Sequence, residues 1–246
     1  MKIIFLGTNG WYDTGTGNTL CAFIETKNEY VILDAGFGIY KINDYIDGSK
    51  PAYIFITHMH LDHICGLHIL IKLKFKKGLT IFYPEKMKKY MEMFLAHPFT
   101  AAPKDLFYKT KLVPLTEGLH KTPFEFESRQ LSHIDATYGY RMNLEGKIVA
   151  YCADTAICKN DLLLAKKSDL LIHECCFTHK KPSAWGHTSP EEAGELAQKA
   201  KTKRLILTHF SGNGFLNMAM RKKAEETAVK IFPNSIAAED GMEKEI

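Results

Sequence analysis

The chain has 246 residues, 46% of them hydrophobic and 24% charged, with a formal net charge of +4. That length suits one domain with a substantial core, and the composition excludes the disordered class, which needs low hydrophobicity and high net charge. The mild positive balance is compatible with an anionic substrate but does not by itself argue for nucleic acid, and no apolar run reaches the length of a membrane span.

The opening MKIIFLGTNG carries a short apolar stretch from Ile3 to Leu6 with no small-residue cleavage site behind it, so it predicts a first strand over 2–6 rather than a signal peptide. Further strands are predicted over 19–25, 30–33, 53–56, 79–82, 122–131, 138–143, 147–152, 169–172 and 204–207, each rich in branched or aromatic residues and bordered by turn formers. Glu145-Gly146 reads as a hairpin turn between two of them. Helices are predicted over 84–95, 160–167, 190–200 and 216–232. The third is well marked: Ser189 caps it, Pro190 fits its first turn and Glu192 completes a capping box. Ala193, Leu196, Ala197 and Ala200 then share one face. The stretch 97–114, with three prolines, predicts a long surface connection of the kind that borders functional sites. Strands in hairpins, then strands alternating with helices, predict an α/β fold of two packed sheets with outer helices, in one domain over 1–246. Cys21, Cys65, Cys152, Cys158, Cys175 and Cys176 form no CxxC pair, so no zinc-thiolate knuckle is expected. Most sit in apolar runs, as small core residues do, and a reducing cytoplasm is the default compartment.

The strongest local signal is Thr57-His58-Met59-His60-Leu61-Asp62-His63-Ile64-Cys65-Gly66, which begins where the apolar run 53–56 ends. His58, His60, Asp62 and His63 fall within six residues, too dense for one ordinary helix or strand face. Imidazole and carboxylate are the usual ligands of first-row metals, and zinc suits the mixture. Three later positions repeat the grammar: 124–131 leads into Ser132-His133, 148–152 into Ala153-Asp154, and 205–207 into Thr208-His209. A lone His or Asp at a strand end is usually a turn or capping residue; here their agreement in order and context carries the weight. Five histidines and two aspartates make seven ligands. A catalytic zinc takes about three plus water, so seven suit two ions with Asp154 shared. Two such ions can hold a bridging hydroxide at neutral pH and stabilise both the entering and leaving oxygens of a displacement.

The HxHxDHxxG run with His133, Asp154 and His209, in that order, resembles the metallo-β-lactamase superfamily, and the resemblance covers nearly the whole chain. It implies a four-layer αββα sandwich, two mixed sheets with helices outside. It also implies a ligand set: His58, His60 and His133 on one metal, Asp62, His63 and His209 on the other, with Asp154 bridging. Zinc is the expected metal, with manganese or iron as alternatives. Ile172-His173-Glu174-Cys175-Cys176-Phe177 and Gly186-His187-Thr188-Ser189 are similar to the His-Glu-Ala-Thr and His-Ser/Thr signatures of ribonuclease Z and its phosphodiesterase relatives. The resemblance then makes His187 a group acting on the phosphate or leaving oxygen, oriented by Glu174. A carboxylate on one ring nitrogen fixes the tautomer and raises the pKa, which suits a proton donor. Asp62, Glu174 and His187 are therefore the expected catalytic residues. Asp34, in Leu33-Asp34-Ala35-Gly36, is expected to bond backbone or a ligand histidine, or else to form a plain Asx turn; Gly36 is expected to supply unusual backbone angles.

Two departures narrow the substrate. Ribonuclease Z proper carries a long tRNA-gripping arm between the positions matching His133 and Asp154. Here Asp154 lies 21 positions after His133, and the predicted hairpin fills that gap. The loop 9–18 also contains no Lys or Arg. The sequence thus predicts an armless, cytoplasmic dizinc phosphodiesterase for a small or nucleotide-like diester, with nucleic acid not favoured, no membrane partner and a homodimer left open. The alternatives are a ribonuclease Z-type tRNA or RNA endonuclease, a carboxylic ester, thioester or lactone hydrolase, and a metal-bound protein without turnover. Lys72, Lys74, Lys76, Lys77, Lys86, Lys88 and Lys89 are the one candidate nucleic-acid patch and read better as solvated charge.

Overall fold

A computed structural model describes residues 1–181 and 183–246. In chain order the main strands are β1 (Lys2–Gly7), β2 (Cys21–Glu25), β3 (Tyr30–Leu33), β4 (Ala52–Phe55), β5 (Leu79–Pro84), β6 (Thr110–Leu115) and β7 (Gly118–His120). They continue as β8 (Phe126–Gln130), β9 (Tyr138–Leu144), β10 (Lys147–Cys152), β11 (Leu170–Glu174), β12 (Leu205–Thr208), β13 (Ser235–Ala237) and β14 (Glu243–Glu245). They build two seven-stranded sheets, ordered β14-β1-β2-β3-β4-β5-β6 and β13-β12-β11-β10-β9-β8-β7. Both are mixed. The first is antiparallel up to β3 and parallel from there to β6. The second is antiparallel from β7 to β10 and parallel from β10 to β13.

β1 shows why these strands read as continuous apolar runs. Successive side chains point to opposite faces, and both faces are covered. Ile3 and Phe5 enter the core between the sheets with Leu33, Phe55, Tyr140 and Ile172. Ile4 and Leu6 pack on the other side against Ile39 and Leu67, from the 3-10 helices Phe37–Asp44 and Cys65–Lys72. The second sheet is covered by α3 (Lys159–Ala165), α4 (Pro190–Ala200) and α5 (Met218–Val229), through Leu164, Leu196, Ala197 and Ala224. The helices before them are α1 (Leu61–Ile64) and α2 (Lys88–Phe94). Helix, sheet, sheet, helix is the four-layer order expected from the sequence.

Three expected boundaries move furthest. The strand predicted over 122–131 is β8 alone, because Pro123 has no N–H to give a ladder. The helix predicted over 84–95 starts as α2 at Lys88, since Pro84 still belongs to β5 and a 3-10 turn, Glu85–Met87, intervenes. The connection predicted over 97–114 ends early: Thr110 opens β6, which pairs with β5. Pro114 is tolerated there because β6 is an edge strand.

One long-range tie positions the site. Arg221 of α5 is 1% exposed. Its guanidinium donates to Thr8 Oγ1 at 2.7 Å, Thr16 Oγ1 at 3.1 Å and the Asn9 side chain. That clamps the loop after β1 against the start of the bridge pairing Asn9–Gly10 with Phe210–Ser211, beside His209.

Candidate metal centre

Four strand ends deliver the predicted ligands to one rim. β4 runs into His58 and, through His60 as N-cap, into α1 with Asp62 and His63. The ends of β8, β10 and β12 bring His133, Asp154 and His209. Asp154 (φ 24°) and His209 (φ 55°) have left-handed backbones, as does Asp34 (φ 54°) after β3. Such conformations cost of order 1–3 kcal/mol each in non-glycine residues and cluster at functional sites. Gly10 is required for a different reason: a Cβ there would lie 2.6 Å from the His209 ring. Gly36 corrects its expectation. Its φ is an ordinary −63°, and the need is for space, since a Cβ would meet the Asp62 carbonyl oxygen at 2.2 Å.

All seven predicted ligands converge. Ligand atoms of His58, His60, His133 and Asp154 lie within 4.8 Å of one another, as do those of Asp62, His63 and His209. The Asp154 carboxylate divides between the two groups. Its Oδ2 is 3.7 Å from His58 Nε2 and 3.9 Å from His133 Nε2. Its Oδ1 is 3.1 Å from His63 Nε2 and 3.2 Å from His209 Nε2. Asp62 Oδ2 is 3.2 Å from His209 Nε2. His58 Nε2 and His133 Nε2 are buried without a hydrogen-bond partner, facing this carboxylate. Buried polar atoms are almost always satisfied, so these orphaned nitrogens fit a cation between them.

Four of the five imidazoles have an engaged outer ring nitrogen, which fixes what each turns inward, whereas His209 Nδ1 is buried without a partner. His63 Nδ1 is 2.8 Å from Asp34 Oδ2, and His58 Nδ1 is 3.0 Å from Thr57 Oγ1. His133 Nδ1 is 3.2 Å from the Gly186 carbonyl, and His60 Nε2 is 2.9 Å from Asp135 Oδ2. Asp34 is fully buried, and it also accepts from Thr57 N–H at 2.8 Å and Tyr151 O–H at 2.6 Å. It bonds both backbone and a predicted ligand histidine, so it is no plain Asx turn.

The electrostatics split along the same line. Burial pushes the His58 imidazolium pKa well down, reinforced by neighbouring His63. Burial also lowers His133, although Asp154 opposes it. At His209 burial acts downward too, but Asp154 and Asp62 win and push it up to about 10. Burial would raise Asp154; instead His209, His63 and His58 hold it well below the carboxylate range.

Glu174 and His187 meet at the edge of the cluster. Glu174 Oε1 is 2.8 Å from His187 Nδ1 and accepts the Thr155 N–H at 2.9 Å. Glu174 Oε2 accepts the Cys176 N–H at 2.8 Å. Burial disfavours charge on His187, yet Glu174 outweighs it and pushes the pKa up to about 11. Glu174, Cys176, His187 and His209 also stand close enough to hold an ion, but both Glu174 oxygens are already spent on hydrogen bonds. A cavity of about 350 Å³ opens over the centre, lined by Trp11, His60, Leu61, Asp62, Asp154, Trp185 and His187.

Sequence reasoning missed Asp135, Trp11 and Trp185. Asp135 stands two positions after His133, and that nearness was its only signal. Trp11 lies in a polar loop, and its backbone N–H donates to Asp62 Oδ2 at 2.6 Å, which no pattern announces. The lysines from Lys72 to Lys89 alternate with buried Leu73, Phe75 and Met87 and are all exposed, as a solvated face is. No helix among the described residues is long and apolar enough to cross a membrane.

Residues 29–210 match the model of the beta-lactamase superfamily domain. Ribonuclease Z of Bacillus licheniformis is 27% identical over an alignment of 314 positions that covers 100% of this chain and 99% of that protein. The metallo-beta-lactamase fold protein YhfI from Bacillus subtilis superposes with a TM-score of 0.82 at 21% identity, covering 99% of this chain and 98% of that one. The short form of human tRNase Z superposes with a TM-score of 0.78 at 21% identity, covering 100% and 99%.

Proposed function

The chain belongs to the beta-lactamase superfamily, and from that premise we propose that it is a metal-dependent phosphodiesterase working with two divalent ions, zinc first among them. The observation that carries this reading is the Asp154 carboxylate, whose two oxygens face two separate groups of ligand atoms. His58, His60 and His133 would hold one ion and Asp62, His63 and His209 the other, with Asp154 between. When bound, such a pair supplies an activated water at neutral pH and neutralises charge on the phosphate. The six free cysteines, four of them buried, agree with a reducing cytoplasm.

The chain's own residues do the rest. Asp34, Thr57, Asp135 and the Gly186 carbonyl hold the imidazoles in the tautomers that point a lone pair inward. Trp11, Leu61 and Trp185 wall the cavity and limit water. His187, kept protonated by Glu174, has Nε2 left to donate a proton to the oxygen that leaves phosphorus. Proton donation of this kind typically contributes about a hundred- to ten-thousand-fold. The Glu174–His187 pair favours phosphodiesters over carboxylic esters, thioesters or lactones, because the stretches that carry it, 172–177 and 186–189, resemble the signatures of ribonuclease Z and its phosphodiesterase relatives.

For the substrate we favour a small or short diester. Between His133 and Asp154 the chain makes only β9, the Glu145-Gly146 turn and β10, with no projecting arm. A second reading, an RNA endonuclease, draws on the relative named ribonuclease Z. That alignment has 314 positions against 246 residues here, so the relative carries segments this chain lacks. The deciding experiment gives zinc- or manganese-reconstituted protein bis-p-nitrophenyl phosphate and precursor tRNA. Faster turnover of the small diester is expected. Efficient cleavage of precursor tRNA with the small diester ignored would overturn the substrate, and inertness toward both would overturn the phosphodiesterase.

A further inference from the structure

Trp11 and Trp185 are the chain's only tryptophans. Both stand at the mouth of the centre, 52% and 45% exposed. Their ring centroids are 5.6 Å apart, and Trp185 is 6.2 Å from the His60 ring. Leaving two of the largest apolar side chains half in water forgoes burial that would stabilise the fold. Trp11 adds a second cost, a left-handed backbone at φ 72°. The two rings are in contact with each other, and about half of each is left open to solvent at the cavity.

The opening continues away from the metal ligands. A second cavity, about 550 Å³, shares Trp11, Trp185 and His187 with the first and adds Phe177, Lys181, Ser211 and Asn213. Lys181 Nζ lies 4.2 Å from the Phe177 ring centroid. The Ser211 hydroxyl donates to Asn213 Oδ1 at 2.5 Å, which leaves the exposed Asn213 amide N–H groups for a ligand. Aromatic faces, one cation and one free amide edge in a single cleft match a flat heterocycle with polar ring atoms and a phosphate alongside.

We propose that Trp11 and Trp185 are specificity-determining residues that stack on a planar heterocyclic ring carried by the substrate, seated in the larger cavity while its phosphate lies over the centre. This rests on the phosphodiesterase reading for its phosphate half and on the tryptophans alone for its ring half. Stacking of a base on an aromatic side chain is worth about five- to a hundred-fold in affinity.

With only these two tryptophans in the chain, intrinsic fluorescence reports the ring directly. Zinc-loaded protein is titrated with adenosine 5′-monophosphate and with ribose 5-phosphate. The nucleotide is expected to change the tryptophan emission and to bind at least about fivefold more tightly than the sugar phosphate. Trp185→Ala, followed by the remaining tryptophan, and Trp11→Ala should each lose most of that preference at unchanged zinc content. Trp185→Phe, which keeps an aromatic face, should retain it. Equal affinity for the two ligands, binding of neither, or a preference that survives both alanine variants overturns the stacking role. Turnover of bis-p-nitrophenyl phosphate, measured in parallel, separates the two ideas. Turnover without nucleotide preference sinks the stacking role alone, and preference without turnover sinks the phosphodiesterase alone.

Discussion

At the floor of the centre, the His58, His63, His133 and Asp154 side chains are at most 3% exposed, and the outer nitrogen of each imidazole is bonded to a hydroxyl, carboxylate or carbonyl. At its mouth, Trp11 and Trp185 are about half exposed, and Asp135 reaches His60 with a side chain 51% exposed. The floor fixes geometry that chemistry common to many substrates needs. The mouth meets whatever the substrate is, in water, and is fixed by few contacts. Damage at the floor should therefore fall on all substrates alike, whereas damage at the mouth should depend on which substrate is offered.

The largest expected effect is at the floor. Asp154→Ala removes the one side chain shared by both ligand groups and leaves four buried imidazoles around a hole. Turnover of every diester should fall by about a thousandfold or more, several kcal/mol of lost transition-state stabilisation. Steady-state kinetics on an aryl and an alkyl diester check this, and a variant that stays active on either breaks the distinction.

His187 stands between floor and mouth, and its effect should depend on the leaving group. Nitrophenolate departs without a proton, whereas an alkoxide needs one. His187→Ala should cost alkyl diesters about a hundred- to ten-thousand-fold and nitrophenyl diesters far less, at unchanged metal content. Equal losses would make it a phosphate-binding residue, and loss of metal would make it a ligand.

Smaller effects compare two carboxylates that do the same task at different depths. Asp34→Asn perturbs a buried bond to His63, and Asp135→Asn an exposed bond to His60. Partners of this kind typically contribute about ten- to a hundred-fold in metal affinity. Chelator competition should place Asp34→Asn near the top of that range and Asp135→Asn at or below its bottom, because water can replace an exposed partner. The reverse order would show that depth does not set the strength of these contacts.

The same contrast explains what the sequence disclosed. The floor is made of residues locked to strand ends, so runs such as 53–56 followed by His58 announce it from composition and order alone. The four-layer fold was legible for the same reason, since strands buried on both faces show as continuous apolar runs. Edge features were not. Thr110–Leu115 looked like loop because its Pro114 is tolerated only at a sheet edge. Asp135 and Trp11 act through contacts to residues 75 and 51 positions away, and no local spacing encodes such a meeting. Arg221 is a further case, an ordinary helix arginine by sequence that closes on Thr8 across 213 positions.

Counting the metal tests the central claim most directly, that the strand-end cluster holds two ions with Asp154 between them. Elemental analysis of zinc-reconstituted, exhaustively dialysed protein should give about two ions per chain, and Asp154→Ala should reduce that number. One ion or none in the unaltered protein, or two retained by Asp154→Ala, would contradict it.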